Sequence, residues 1–120
     1  MPPSNKLEAI RQVCKSLRDT YEELLHGCPS FFVTEGPYLM FLFNNPGDDR
    51  LTIWVAQPPG GQEALIKMNP KYFFRPPSTD KSDWVGIDLR SGISWIAIEA
   101  LIVEGHDYVY WKRKRQPERL

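Results

Sequence analysis

Apolar residues recur at steps of three and four positions near both ends of the chain. The first stripe runs through residues 7–25 and stops at Gly27. The second follows the good helix-capping residue Ser94 and runs through residues 95–109. Because these steps place side chains on one face of an α-helix, the pattern predicts an N-terminal and a C-terminal amphipathic helix.

Short runs rich in β-branched and aromatic residues fill the region between the two stripes. Three of them are separated by turn-forming residues and predict an antiparallel meander, at residues 31–33, 38–43 and 51–56. A short helix is predicted at residues 62–68, since Pro70 disfavours helix in the residue before it. Further along, the alternating residues 84–89 predict another strand.

The predicted order of elements is helix, three strands, short helix, one or two strands, and long helix. Two amphipathic helices must bury their apolar faces, and an antiparallel sheet with one apolar face is the available partner. The sequence therefore predicts a two-layer α+β domain whose sheet packs against the N-terminal and C-terminal helices. A chain of 120 residues fits one such domain, at residues 1–111, followed by a basic tail at residues 112–120.

Composition places the chain among ordinary globular proteins, with 42% hydrophobic residues. The longest unbroken apolar run, residues 38–43, is far shorter than the ~18 residues that a membrane span requires. Two cysteines, Cys14 and Cys28, are too few for a disulfide scaffold and fit a reducing compartment. These features predict a soluble, cytoplasmic protein with no membrane partner.

Charge is distributed unevenly along the chain. The 15 basic and 15 acidic residues cancel, which gives no bulk-charge argument for binding nucleic acid. Residues 112–120, however, carry a net charge of +4, so residues 1–111 carry −4. The tail begins with four consecutive cations: Lys112, Arg113, Lys114 and Arg115. They either contact the phosphates of duplex DNA or form a solubilising helix end, and the sequence leaves both readings open.

A second basic segment is interleaved with aromatic residues. Lys67, Lys71 and Arg75 accompany the aromatic run at residues 72–74. This pattern suits a surface that holds a nucleic-acid backbone while bases stack on the rings. The alternative is that the rings point inward and the cations are solvated. Whether these cations join the tail in one patch is left open by the sequence.

A different function is suggested by Trp54 and Thr52, which alternate with the apolar Ile53 and Val55 on one predicted strand. They share the face of the sheet expected to be less buried, where an aromatic side chain can meet a ligand. The alternative to DNA binding is therefore a module that binds a protein or a small ligand on this open face.

The sequence shows no constellation typical of an enzyme, and neither a metal nor a cofactor is predicted. His26 and Cys28 lack the paired spacing of a zinc site and do not by themselves define a nucleophile–base pair. The glycines at residues 60–61 are not followed by the lysine of a nucleotide-binding loop. We therefore expect a non-enzymatic protein.

Several motifs, in order and spacing, resemble the MmcQ/YjbR-like family. They are Gly27-x-Pro29-Ser30-Phe31-x-Val33, Gly36 before Leu39-x-Phe41, Leu51-Thr52-Ile53, Tyr72-Phe73-x-x-Pro76-Pro77, Trp84-Val85-Gly86-Ile87-x-Leu89, and Ser94-Trp95 opening a helix that reaches Glu104-Gly105. The resemblance spans roughly residues 6–112. It implies a small α+β fold similar to a "double-wing" domain, with a DNA-binding label that rests on likeness of fold. The chain departs from the family at Cys28, where a histidine is common, and at residues 78–83.

Overall fold

The computed structural model describes residues 4–43, 50–77 and 83–114 of the chain. Over these ranges the protein is an α+β domain with three helices and one open sheet of six antiparallel strands. The elements are α1 (Ser4–Lys15), β1 (Thr20–Leu25), β2 (Cys28–Val33), β3 (Gly36–Phe43), β4 (Leu51–Ala56), α2 (Gly61–Met68), β5 (Phe73–Phe74), β6 (Trp84–Asp88) and α3 (Trp95–Lys114). The strand order in the sheet is β1-β2-β3-β4-β6-β5.

The prediction that one helix spans residues 7–25 is wrong beyond Lys15. The chain leaves α1 and reverses through Asp19, whose φ of 58° lies in the left-handed region. Residues 20–25 then form β1, an edge strand that pairs along its length with β2. Four strands, rather than three, therefore separate the first two helices.

A tight turn explains why residues 20–25 form a strand. His26 and Gly27 connect β1 to β2 and both have positive φ, 54° and 80°. Positive φ at both central residues of a two-residue loop matches the twist of an antiparallel hairpin. The pairing with β2 satisfies the backbone groups of β1, and this tertiary contact overrides the helical spacing of its apolar side chains.

The other predicted elements are present with modest changes in their bounds. α2 and α3 follow the predicted helices, and β4 follows the predicted third strand. α3 continues to Lys114, so the first three cations of the predicted tail belong to the last turn of this helix. No helix within the described ranges has the length and apolar character needed to cross a membrane.

α3 is seated on the sheet through Gly105, at a point where the helix backbone comes unusually close to β4. A Cβ atom on Gly105 would lie 2.7 Å from the Ala56 carbonyl oxygen and 2.7 Å from Val55 Cγ1. This contact places α3 on the face of β4 that Val55 shares with Ile53, both of which are fully buried. Glycine at this position therefore allows the close packing of α3 on β4.

The last helix, α3, ends at one end of the sheet. We call one end of the sheet the upper end; it contains the β2–β3 turn, and β4 finishes there. The opposite end, where β4 begins, is the lower end. The register between β3 and β4 defines these ends, because Leu39 near the start of β3 pairs with Val55 near the finish of β4. α3 finishes at the upper end, where Arg113 contacts the β2–β3 turn.

Candidate functional site

Three exposed cations surround the last turn of α3, and we call Arg18, Lys112 and Lys114 the basic cluster. Arg18 comes from the segment between α1 and β1, and its Nη1 donates a hydrogen bond of 2.9 Å to the hydroxyl oxygen of Tyr110. Its guanidinium carbon lies 5.1 Å from the centre of the Tyr110 ring, and Lys114 Nζ lies 5.7 Å from the same centre. A buried tyrosine therefore holds two cations from distant parts of the sequence together.

No carboxylate in the described ranges lies within ion-pair distance of the basic cluster. The carboxylate contacts in these ranges belong elsewhere: Arg11 binds Glu22 at 2.9 Å and also contacts Glu8, and His106 contacts Asp107. Arg11 is thus paired with carboxylates, whereas the cluster has no carboxylate partner among the residues that the structure describes. An uncompensated group of cations at one end of a domain attracts anions.

Arg113 has a different role from its neighbours. Its Nε donates a hydrogen bond to the carbonyl oxygen of Thr34, and its side chain crosses closely over Gly36. Thr34 and Glu35 form the β2–β3 turn, with φ values of 47° and 67°. Arg113 therefore anchors the end of α3 to the sheet, and its guanidinium is already engaged by protein.

The second group of predicted nucleic-acid ligands lies away from the basic cluster. Lys67 and Lys71 are exposed, and Lys71 precedes Tyr72, whose carbonyl oxygen accepts a hydrogen bond from Asp88 at the finish of β6. This places Lys71 at the lower end of the sheet. Arg75 follows β5, the far edge strand, and its Nε donates to Gln62 Oε1 at 2.9 Å.

The structure therefore does not bring the two basic segments into one surface around α3. β3, β4 and β6 lie between β2, near the end of α3, and β5. At about 4.8 Å per strand this separates the two edges by roughly 19 Å. Arg115, the fourth cation of the tail, lies outside the described residues. The sequence did not single out Arg18, whose side chain joins the site through its contact with Tyr110.

A buried polar group lies beneath the basic cluster, where α1, β3 and α3 meet. The hydroxyl groups of Tyr38 and Thr20 are 3.0 Å apart, and the Tyr38 ring packs edge-on against His106 at 5.1 Å. His106 is only 2% exposed, and its Nε2 donates to the Arg18 carbonyl oxygen at 2.8 Å. Every buried polar side-chain atom in the described ranges has a partner. This group is a satisfied structural network that fixes Arg18 over α3.

Burial raises the pKa values of Tyr38, which belongs to this network, and of Cys14, which contacts Tyr38. It raises the pKa of the Cys14 thiol from 9.0 to about 12, while a hydrogen bond with Tyr38 lowers it slightly. Burial likewise raises the pKa of Tyr38 well above its ordinary value. A thiol with so high a pKa is not a nucleophile at neutral pH, because the thiolate is the reactive form.

We expect stability to fall above about pH 9 because of Cys14. The thiol pKa is higher in the folded state, so the unfolded chain loses the proton first as the pH rises through 9.0. The stabilisation is complete below pH 9 and is lost towards pH 12, by up to about 4 kcal/mol. Urea unfolding at pH 7 to 11 measures this loss. A Cys14→Ala variant should show a shallower decline, and an identical decline in both proteins would contradict the assignment.

The sheet face around Trp54 is more closed than the sequence suggested. Trp54 is partly buried, and Thr52 is only 4% exposed, so the threonine is not accessible to a ligand. Met40, which pairs with Trp54 across the β3–β4 ladder, is also buried. On the other side Gly86 pairs with Trp54, and the Phe74 ring lies directly over Gly86. An open ligand platform centred on Thr52 and Trp54 is therefore not formed by these residues.

A groove of about 470 Å³ runs along the outer side of α3 and ends beside the basic cluster. It is lined by Pro58, Ala100, Val103, Glu104, Asp107, Tyr108 and Trp111. Most of the lining is apolar or aromatic, and the polar contributions come from the two acidic residues. Lys112 Nζ lies 5.5 Å from the centre of the Tyr108 ring, which connects the groove to the cluster. Within the described ranges, no group of three or more potential metal ligands is present.

Comparison with known proteins supports the fold. No family model matches the chain, and no curated protein matches it. Among solved structures the chain is similar to Deinococcus radiodurans protein DR2400, a DUF419 domain, with a TM-score of 0.71 at 17% identity, over 93% of this chain and 80% of that one. DUF419 is a YjbR/MmcQ-like family, so this neighbour agrees with the sequence resemblance at the level of fold. At 17% identity the likeness shows a shared fold.

Proposed function

We propose that this protein is a non-enzymatic, cytoplasmic DNA-binding module of the MmcQ/YjbR-like family, and that the basic cluster contacts the phosphate backbone of duplex DNA. The observation that carries the proposal is the arrangement of Arg18, Lys112 and Lys114 around one helix end with no acidic partner in the described ranges. Family membership is supported by the order of the sequence motifs and by the DUF419 neighbour.

The structural network beneath the cluster supports a role in binding. Tyr110 positions Arg18 and Lys114, and Arg113 fixes the helix end against the Thr34 carbonyl. Cations held in place lose less conformational entropy when they bind phosphates than freely rotating side chains do. Backbone contacts of this kind position a protein on DNA without reading its sequence.

The sum of charges outside the tail limits the surface that can face DNA. Residues 1–111 carry a net charge of −4, which repels a polyanion. DNA must therefore approach the upper end of the sheet, where the cluster lies. Lys67 and Lys71, at the lower end, are excluded from the proposed contact because the sheet separates them from the cluster.

The proposal is tested with a matched pair of double variants. Lys112→Gln with Lys114→Gln removes two cations from the cluster, and Lys67→Gln with Lys71→Gln removes two from the lower end. We expect the first variant to weaken binding to a fluorescent 20-base-pair duplex at least tenfold at low salt. Its slope of log affinity against log salt should become shallower by about 2, since each lost phosphate contact changes the slope by about 0.9.

The control variant has the same net charge and should bind duplex DNA within about twofold of the wild-type protein. Equal weakening in both variants would show that overall charge, rather than the cluster, governs binding. No binding by the wild-type protein at 50 micromolar in low salt would refute the DNA-binding proposal altogether.

A further inference from the structure

The groove along α3 presents an aromatic surface next to Lys112. Trp111 is 49% exposed, and its ring packs edge-on against the buried Tyr110 with centres 5.0 Å apart. The contact with Tyr110 restrains the indole, so its exposed part is held ready for another flat group. The volume of about 470 Å³ is within the range of small-molecule sites.

Charges along the groove change sign over a short distance. Glu104 and Asp107 contribute carboxylates to the lining, whereas Lys112 stands over Tyr108 at the end of the groove. Asp107 Oδ1 already lies 3.0 Å from His106 Nδ1, while Glu104 is exposed and has no ion-pair partner in the described ranges. A matching ligand has an aromatic part with hydrogen-bond donors and an anionic part beside it.

We propose that the groove binds one unpaired base of single-stranded DNA, stacked on Trp111, with its phosphate at Lys112. This inference rests on the proposed function, because it uses the basic cluster as the backbone contact. A nucleotide has both required features. Its base offers a flat ring, and in cytosine an exocyclic amino group can donate a hydrogen bond to a carboxylate. Stacking of unpaired bases on aromatic side chains is the usual basis of single-strand binding.

A basic peptide is the competing occupant, and the charges favour the nucleotide. Glu104 and Asp107 would attract a peptide cation, but Lys112 at the end of the groove would repel it. A phosphate reverses this balance, since it is attracted by the cluster while the amino group of the base reaches the carboxylates. A duplex cannot use the groove in this way because its bases are paired and stacked within the helix.

The decisive test compares two exposed tryptophans at opposite ends of α3. Trp111→Leu removes the proposed stacking surface, while Trp95→Leu, at a site 39% exposed, is the matched control. We expect Trp111→Leu to weaken binding of a labelled 12-nucleotide oligo(dC) at least about fivefold and to leave duplex affinity within twofold. Trp95→Leu should change neither. Trp111→Phe, which keeps an aromatic ring, should retain most of the single-strand affinity and guards against a folding artefact.

Base recognition by the carboxylates is tested by the ratio of affinities for oligo(dC) and oligo(dT). Thymine lacks an exocyclic amino group, so the wild-type protein should prefer oligo(dC), and Glu104→Gln should reduce this preference. Equal binding of the two oligonucleotides by the wild-type protein, or an unchanged ratio in the variant, would overturn this part of the proposal.

Base binding in the groove and duplex binding by the cluster can be refuted separately. If Trp111→Leu weakens single-strand and duplex binding equally, or weakens neither, the groove is not a base site. In those cases DNA binding through the cluster still stands if the Lys112 and Lys114 variant loses duplex affinity. If the wild-type protein binds neither form of DNA, both proposals are refuted together.

Discussion

Replacing Gly105 by alanine is expected to destabilise the protein, although alanine is the better helix former. In an exposed helix the change would stabilise by about 1 kcal/mol. Here the new Cβ would lie 2.7 Å from the Ala56 carbonyl oxygen and from Val55 Cγ1, so α3 must move away from β4. We expect a net loss of about 2 kcal/mol or more in the free energy of unfolding, measured by urea denaturation.

Whether Gly105→Ala lowers or raises the free energy of unfolding shows whether packing or helix propensity dominates at this position. Ala100→Gly, at an exposed position of the same helix, is the reciprocal control and should cost about 1 kcal/mol through propensity alone. If Gly105→Ala were neutral or stabilising, the close seating of α3 on β4 would be refuted.

The second large effect is expected at Gly86, on the other face of the sheet. A Cβ atom there would lie 2.3 Å from two carbons of the Phe74 ring. The Arg50 guanidinium carbon lies 4.2 Å from the centre of this ring, which restricts how far the ring can move aside. We expect Gly86→Ala to reduce the free energy of unfolding by about 2 to 3 kcal/mol, with a lower Tm in thermal unfolding.

A double-mutant cycle assigns the cause of the loss at Gly86. Phe74→Leu replaces the flat ring by a smaller, flexible side chain that can make room for the new methyl group. The double variant should therefore lose less stability than the sum of the two single variants. Strict additivity would show that the alanine disturbs the strand in some other way.

Much of the fold could be predicted from the sequence, because most elements have apolar patterns that agree with their local propensities. The two later helices and the strands at residues 38–43, 51–56 and 84–89 belong to this group. The exception is β1, whose apolar residues continue the spacing of α1 by coincidence. Its identity as a strand depends on the hairpin turn at His26 and Gly27 and on pairing with β2, which helical spacing does not reveal.

The candidate site was only partly visible in the sequence. Lys112 and Lys114 stand out as a run of cations, and the structure places them in a helix turn rather than a separate tail. Arg18 is an isolated cation in the sequence, and only the contact with Tyr110 joins it to that turn. The sequence also gave no sign that Lys71 and the cluster lie at opposite ends of the sheet, since the pairing of the strands decides that placement.

Arg18 is bonded to α3 across a long stretch of sequence, which bears on how the chain folds during synthesis. Arg18 reaches Tyr110 over 92 positions of sequence, and its carbonyl oxygen reaches His106 over 88. α3 packs on β3 and β4, so a nascent chain that stops before residue 95 lacks the helix that covers their apolar surface. We therefore expect the domain to fold only after α3 has been made, because until then β3 and β4 lack the helix that buries them.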